Sequence, residues 1–193
     1  MTMIIQQIEN YRPFNQQEQQ DRIRILDFLH NNEDAFERSN ATAHMTASAW
    51  VINADANNLL GYNRPGLFCI YDSWSWTGGH ADGERDLLAL AIREVQEETG
   101  VQNVRPVTED IYSLEVLTVD GHEKRGEYVS SHLHMNVTYL LMADEKETLH
   151  ICEAENSAVA WFGLEEALSA STEPWFVERI YKKLNEKLTL YIN

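Results

Sequence analysis

Cysteine and positive charge are what this 193-residue sequence has least of. Its two cysteines, Cys69 and Cys152, stand at no disulfide-framework or zinc-site spacing, which excludes a disulfide-stapled scaffold and points to small core residues in a reducing compartment. Lys and Arg number 15 against 31 Asp and Glu, a formal charge of −16. Such a surface repels a phosphate backbone and an anionic membrane, so nucleic acid and membrane are excluded as partners. A phosphorylated substrate would have to be met through cations. No stretch approaches the roughly 20 apolar residues of a membrane span, and the first residues carry no basic segment followed by an apolar run. The chain therefore reads as soluble and cytoplasmic. It has no internal repeat and no low-complexity tract.

With 44% hydrophobic and 10% aromatic residues, the chain has ample material for one packed domain with a short extension. Residues 1–41 read as an N-terminal helical extension. Asn15 followed by Glu18 resembles a capping-box start, and Ile25, Leu26, Phe28 and Leu29 give one apolar side to a helix ending near His30. Asn31 to Asn40 reads as a loop. Strand signals follow over 46–53, over 67–76 as one strand or a short pair, and over 111–119, 132–142, 150–152 and 158–162. The spacing of Leu88, Ala91, Ile92, Val95 and Thr99 predicts a helix over 86–99, stopped by Gly100. Helical segments at 164–168 and 174–188 close the chain, the second with Val177, Tyr181, Leu184 and Leu188 on one face and Pro174 suited to its first turn. Strands on both sides of a helix, ending in helices, imply an α/β fold with a mixed sheet covered by helices.

The chemistry is concentrated between Gly78 and Val101. At 100° per residue, Glu94, Glu97 and Glu98 project within an arc of about 100°. Like charges so close destabilise a helix, and Arg93 at i−4 to Glu97 neutralises only one of them. Hard oxygen ligands at this density suit Mg2+ or Mn2+, which leave positions open for phosphate oxygens and water. Taken alone, a glutamate run is most often a solvated face. His132 and His134, two apart on a strand, share a face, but no third ligand follows at metal spacing, and a hydrogen-bonded or substrate-contacting role is the better reading. Lys124, Arg125 and Arg64 are scarce loop cations with a surface role as the default. Trp74, Trp76, Tyr71 and Tyr128 can stack on a base, though aromatics at alternating strand positions are more often core.

Gly79, Arg93, Glu94, Val95, Glu97, Glu98, Gly100 and Val101 stand in the register of the box of the Nudix hydrolase family, which the segment resembles: Gly, five residues, Glu, seven residues, Arg-Glu-apolar-any-Glu-Glu-any-Gly-apolar. One box position departs, with Arg85 where the family has its first Glu, and Glu84 or Asp82 nearby to compensate. The strand layout and the Trp161-Phe162 pair ahead of the last helices extend the resemblance over residues 42–193. The resemblance implies an α/β/α sandwich with a mixed sheet and a metal-dependent hydrolase of a diphosphate linkage in a nucleoside diphosphate joined to another moiety. It assigns Mg2+ or Mn2+ to the Gly79 carbonyl and to Glu94, Glu97 and Glu98, which makes Glu98 central to catalysis. The general base stays open between Glu94, Glu155 and its neighbour Glu153. The isopentenyl diphosphate isomerases of the same fold place a cysteine where this chain has Gly78, so isomerase activity is not expected. Residues 121–134 look like a bacterial subgroup of unassigned substrate. The alternative implied by Arg85 is a non-catalytic Nudix-like module that binds a nucleotide or metabolite. A small-molecule diphosphate is the expected partner, and a homodimer through the extension is open.

Overall fold

Asn15 begins the first long helix as its side chain predicts. The computed structural model describes residues 3–53, 65–70, 73–124, 126–152 and 156–191. Its chain divides into two units, 1–48, 79–90 and 110–139 in the first and 49–78, 91–109 and 140–193 in the second.

In the first unit, helices α1 (Met3–Asn10) and α2 (Gln16–Asn31) lead the chain. Asn15 Oδ1 accepts the N–H of Glu18 at 2.9 Å, the cap that ends an otherwise unsatisfied first turn. Glu18 does not return the bond to Asn15. Its fully buried carboxylate accepts instead from the Phe14 N–H at 2.7 Å, the Tyr11 hydroxyl at 2.5 Å and the Ser113 hydroxyl at 2.7 Å. Ile25 and Leu29 bury the predicted side of α2, and Ile4, Ile5 and Ile8 bury a face of α1, a helix absent from the sequence reading. Arg22 donates to the carbonyl of Ile8 at 2.7 Å, tying α2 to the end of α1.

The strands of this unit are β1 (Ala43–Asn53), entering as far as Ser48, β4 (Thr77–His80) from Gly79, β6 (Ser113–Val119) and β9 (His132–Ala143) as far as Tyr139. They lie in the order β4-β1-β9-β6. β6 and β9 run antiparallel, from Ser113 opposite Thr138 to Val119 opposite His132. Because side chains alternate along a strand, His44, Thr46 and Ser48 share one face of β1, and His132, His134, Asn136 and Thr138 share one face of β9. That face is polar and mostly buried. Thr46 and Ser48 donate to Asn136 Oδ1 at 2.8 and 3.0 Å. The Asn136 amide and the Thr138 hydroxyl donate to Glu115 Oε2 at 3.1 and 2.8 Å, all three residues being fully buried. A separate hairpin pairs β7 (His122–Lys124) with β8 (Glu127–Val129).

The second unit holds β2 (Pro65–Ile70) between β10 (Ala158–Gly163) and the end of β1, all antiparallel, with β3 (Trp74–Ser75) on β2 and β5 (Arg105–Pro106) on the end of β9. The segment 67–76, expected as one strand or a short pair, supplies a short pair, β2 and β3. The strand expected over 150–152 does not form. The His150 N–H makes one bond to the Thr99 carbonyl at 2.8 Å, a single clasp to a helix end rather than a ladder.

Helix α4 (Leu164–Ala170) is followed by α5 (Pro174–Phe176), a π-helical turn at Val177–Tyr181 and α6 (Lys182–Leu188). The wide turn changes the phase of the predicted apolar face. Ile180, Tyr181, Leu184 and Leu188 are buried while Val177 is only half-buried. Tyr181 sits among aromatic rings, with centroids 5.5 Å from Trp50 and 5.8 Å from Trp76, and its hydroxyl lies 2.8 Å from Ser75 Oγ. Among the described residues no helix is long and apolar enough to cross a membrane.

Candidate active site

Helix α3 (Leu87–Thr99) carries the three glutamates. Asp86 caps it, its Oδ1 accepting the Ala89 N–H at 3.0 Å. Leu87, Leu90, Ala91 and Val95 form the buried face, while Leu88 and Ile92 are half-buried, so the stripe is turned slightly from the expected one. That turn makes the glutamates unequal. Glu97 is 60% exposed, Glu94 14% and Glu98 only 2%. The carboxylates therefore grade from solvent to core along one helical face.

Arg93 lies 3.9 Å from both Glu94 and Glu97. Three carboxylates and one guanidinium leave two negative charges on this patch, carried by hard oxygen donors alone. In charge and donor chemistry the patch fits a divalent magnesium-like ion.

The last turn is pinned at several points. Thr99 Oγ1 donates to the Val95 carbonyl at 2.5 Å, and the Asn156 amide donates to the Glu98 carbonyl at 2.9 Å. Gly100 takes φ +78° and donates to the Gln96 carbonyl at 3.0 Å. That left-handed residue is the ordinary helix stop.

Gly79 lies on β4 in the first unit, half-buried and directly before His80. The loop after it is held by the Ala81 N–H on the Met45 carbonyl at 3.0 Å and the Gly83 N–H on the Phe36 carbonyl at 2.9 Å. Arg38 clamps Asp82 with two contacts and holds its carboxyl below the usual carboxylate range. Glu84 Oε1 accepts the N–H groups of Arg85 and Asp86 at 2.7 and 2.9 Å. Both acids expected to compensate for Arg85 thus have local work. Arg85 itself stands outside α3, with its guanidinium 4.8 Å over the Phe36 ring, so the helix dipole bears on it less than its sequence position suggests.

Glu155 and Glu153 lie outside the described residues, as do Tyr71, Arg64 and Arg125. Trp76 is buried beside Tyr181, Trp74 meets Phe162 edge-on at 4.7 Å, and Tyr128 is 71% exposed. The histidine reading needs correction. His132 and His134 are not an isolated pair, because His44 and His80 of the same unit join them. One ligand atom each from His44, His80 and His134 lies within 4.8 Å of the others. Sequence spacing misses this because the residues sit on three strands. The one available signal was the polar alternation of His44, Thr46 and Ser48.

A model of the NUDIX domain family matches residues 42–184. No curated protein matches the chain. Similar solved structures include the C. elegans Ap4A hydrolase binary complex, at TM-score 0.53 and 17% identity over 75% of this chain and 98% of that one. The NUDIX domain of Shewanella oneidensis NrtR complexed with ADP ribose aligns at TM-score 0.52 and 15% identity, over 84% of this chain and 97% of that one. The E. coli dihydroneopterin triphosphate pyrophosphohydrolase does so at 0.50 and 13%, over 74% and 95%. At these identities the likeness speaks for the fold, an α/β arrangement of a mixed sheet with helices. With its box in register and about three quarters of its length under the family model, the chain belongs to the NUDIX domain family.

Proposed function

We propose that the chain is a metal-dependent hydrolase that cleaves the diphosphate linkage of a nucleoside diphosphate joined to another moiety. The observation that carries this reading is the graded exposure of Glu97, Glu94 and Glu98 on one pinned helix face. The substrates and ligand named for similar solved structures, Ap4A, ADP ribose and dihydroneopterin triphosphate, all carry linked phosphates and support it.

In this reading the carboxylates of Glu94, Glu97 and Glu98 would hold Mg2+ or Mn2+. Such an ion supplies positive charge against the diphosphate oxygens and acidifies a bound water. The rest falls to the chain. The Asn156 amide holds the Glu98 backbone carbonyl at 2.9 Å, which fixes the helix turn from which that carboxylate projects. Arg93 tempers the repulsion between Glu94 and Glu97 when no cation is near. Glu94, Glu153 and Glu155 are the candidates for taking the proton from water. Positioning plus charge stabilisation is most of what phosphoryl transfer needs.

The test is a phosphate-release screen over nucleoside diphosphate sugars, dinucleoside polyphosphates and nucleoside triphosphates in Mg2+ or Mn2+. Metal-dependent turnover that Glu98→Gln removes is expected. Turnover that survives EDTA, or is indifferent to that substitution, overturns the mechanism. Arg85 at the box position of a glutamate favours the second reading, a binding-only module. That reading predicts ligand binding without turnover of any compound.

A further inference from the structure

β1, β4 and β9 of the first unit bring four imidazoles together. Ring centroids lie 5.2 Å apart for His44 and His80, 5.0 Å for His44 and His134, 4.8 Å for His80 and His134, and 5.1 Å for His132 and His134. His132 Nε2 is 3.2 Å from His134 Nε2. Nitrogens bound to one tetrahedral zinc at about 2.0–2.1 Å are themselves about 3.3 Å apart. The remaining ring nitrogens need only small rotations to meet that spacing, since they already lie within 4.8 Å.

Tautomers are set from behind. His44 Nδ1 is 3.2 Å from the Asn40 carbonyl and His132 Nδ1 is 2.9 Å from the Ser130 carbonyl. A carbonyl only accepts, so both Nδ1 atoms carry the proton and both Nε2 atoms present a lone pair. A backbone carbonyl behind the ring is the usual way to orient a metal-binding histidine. His44 is 4% exposed, and its Nε2 has no hydrogen-bond partner among the described residues. An N–H from His134 to His132 would satisfy that pair and still leave His44 Nε2 unmet. Burial, reinforced by the neighbouring rings, pushes His134 down to about 3, and burial lowers His44 as well.

We propose that His44, His80 and His134, with His132 as fourth ligand, bind a zinc-class divalent ion at a site separate in chemistry from the carboxylates of α3. All-imidazole donors select zinc, nickel or copper over magnesium and calcium. Loading this site ties β4, the strand that carries Gly79, to β1 and β9.

The test uses the full chain, stripped with a chelator and returned to millimolar Mg2+ so that hard-oxygen sites are occupied. Zn2+ is then titrated by calorimetry and Co2+ by visible absorption. One equivalent of Zn2+ and the intense visible bands of four-coordinate, nitrogen-ligated Co2+ are expected. His80→Gln and His134→Gln should each weaken binding by roughly 100-fold or more, given that loss of a mere supporting partner costs about 10–100-fold. Glu98→Gln should leave Zn2+ affinity within about twofold, which separates this site from the proposed hydrolytic one. If His134→Gln fails to fold, the half-buried His80 and His132 supply the variants. No Zn2+ uptake in the presence of Mg2+ overturns the proposal. So does equal affinity in His80→Gln, or a weak Co2+ spectrum of oxygen-ligated type.

Discussion

Gly100→Ala is the most discriminating test of how α3 is held. At φ +78°, any residue with a Cβ adopts a left-handed conformation, costing about 1–2 kcal/mol. The new Cβ would also stand 2.9 Å from His150 Cβ, 3.0 Å from Cδ2 and 3.2 Å from the His150 backbone nitrogen. A rotamer change moves Cδ2 but neither Cβ nor the backbone, so the clash must be relieved by shifting the chain around His150. Overpacking of that kind costs about 1–3 kcal/mol. The sum is about 2–5 kcal/mol, or a Tm loss of about 4–20 °C at this chain length. Gly126→Ala is the built-in reference. Gly126 has φ +83°, yet nothing lies within 4 Å of its would-be Cβ, so only the conformational cost of about 1–2 kcal/mol applies there. Urea midpoints at unchanged m-value measure both. The gap between the two variants is the clash. Asn, which tolerates the left-handed region, should rescue position 126 and not position 100. If Gly100→Ala costs no more than Gly126→Ala, the packing of His150 against the helix end is wrongly read.

Other expectations follow from the same structure. Glu98→Gln should lower metal-dependent turnover about 10²–10³-fold, the usual range for losing one group that stabilises transition-state charge, while circular dichroism and Tm stay near the parent. Arg85→Glu should leave turnover equal or higher and cost up to about 1 kcal/mol in urea midpoint, the value of an exposed cation–π contact; a large loss of turnover would give Arg85 a direct role. Burial raises the hydroxyl pKa of both Tyr139 and Tyr181. The folded state therefore keeps protons that the unfolded chain releases above about pH 10, and stability should fall as pH rises beyond that point, by up to about 1.4 kcal/mol per unit for each tyrosine. Tyr181→Phe should flatten the alkaline slope in urea midpoints between pH 9 and 11, and an unchanged slope would refute the assignment.

Much of the site was legible because the relevant signals are local. Asn15 and Glu18 announced a helix start, and the apolar period and Gly100 bounded α3 to within a residue. What escaped depends on partners distant in the sequence. The spacing of Glu94, Glu97 and Glu98 shows a shared face but not the depth of each, and only the packing of α3 sets Glu98 at 2% exposure. Glu18 looked like a reciprocal cap, but Ser113, 95 residues away, takes part of its carboxylate. The π-turn at Val177–Tyr181 answers to the packing of Tyr181 against Trp50 and Trp76, which no 3.6-residue periodicity encodes. The four histidines come from strands whose adjacency only the fold creates.

The network around Asn136 has a further consequence for how the first unit reaches one arrangement rather than several. Apolar strands can slide by two residues and still bury oil against oil. Here Asn136 must meet Thr46 and Ser48 on one side and Glu115 on the other. A slip of β9 by one residue turns Asn136 and Thr138 to the opposite face, and a slip by two carries them past their partners. Either error takes the Asn136 and Thr138 donors away from the buried Glu115 carboxylate, which is far costlier than a misplaced methyl group. The polar face thus acts as a lock whose wards are hydrogen bonds, and it admits a single alignment of β1, β9 and β6.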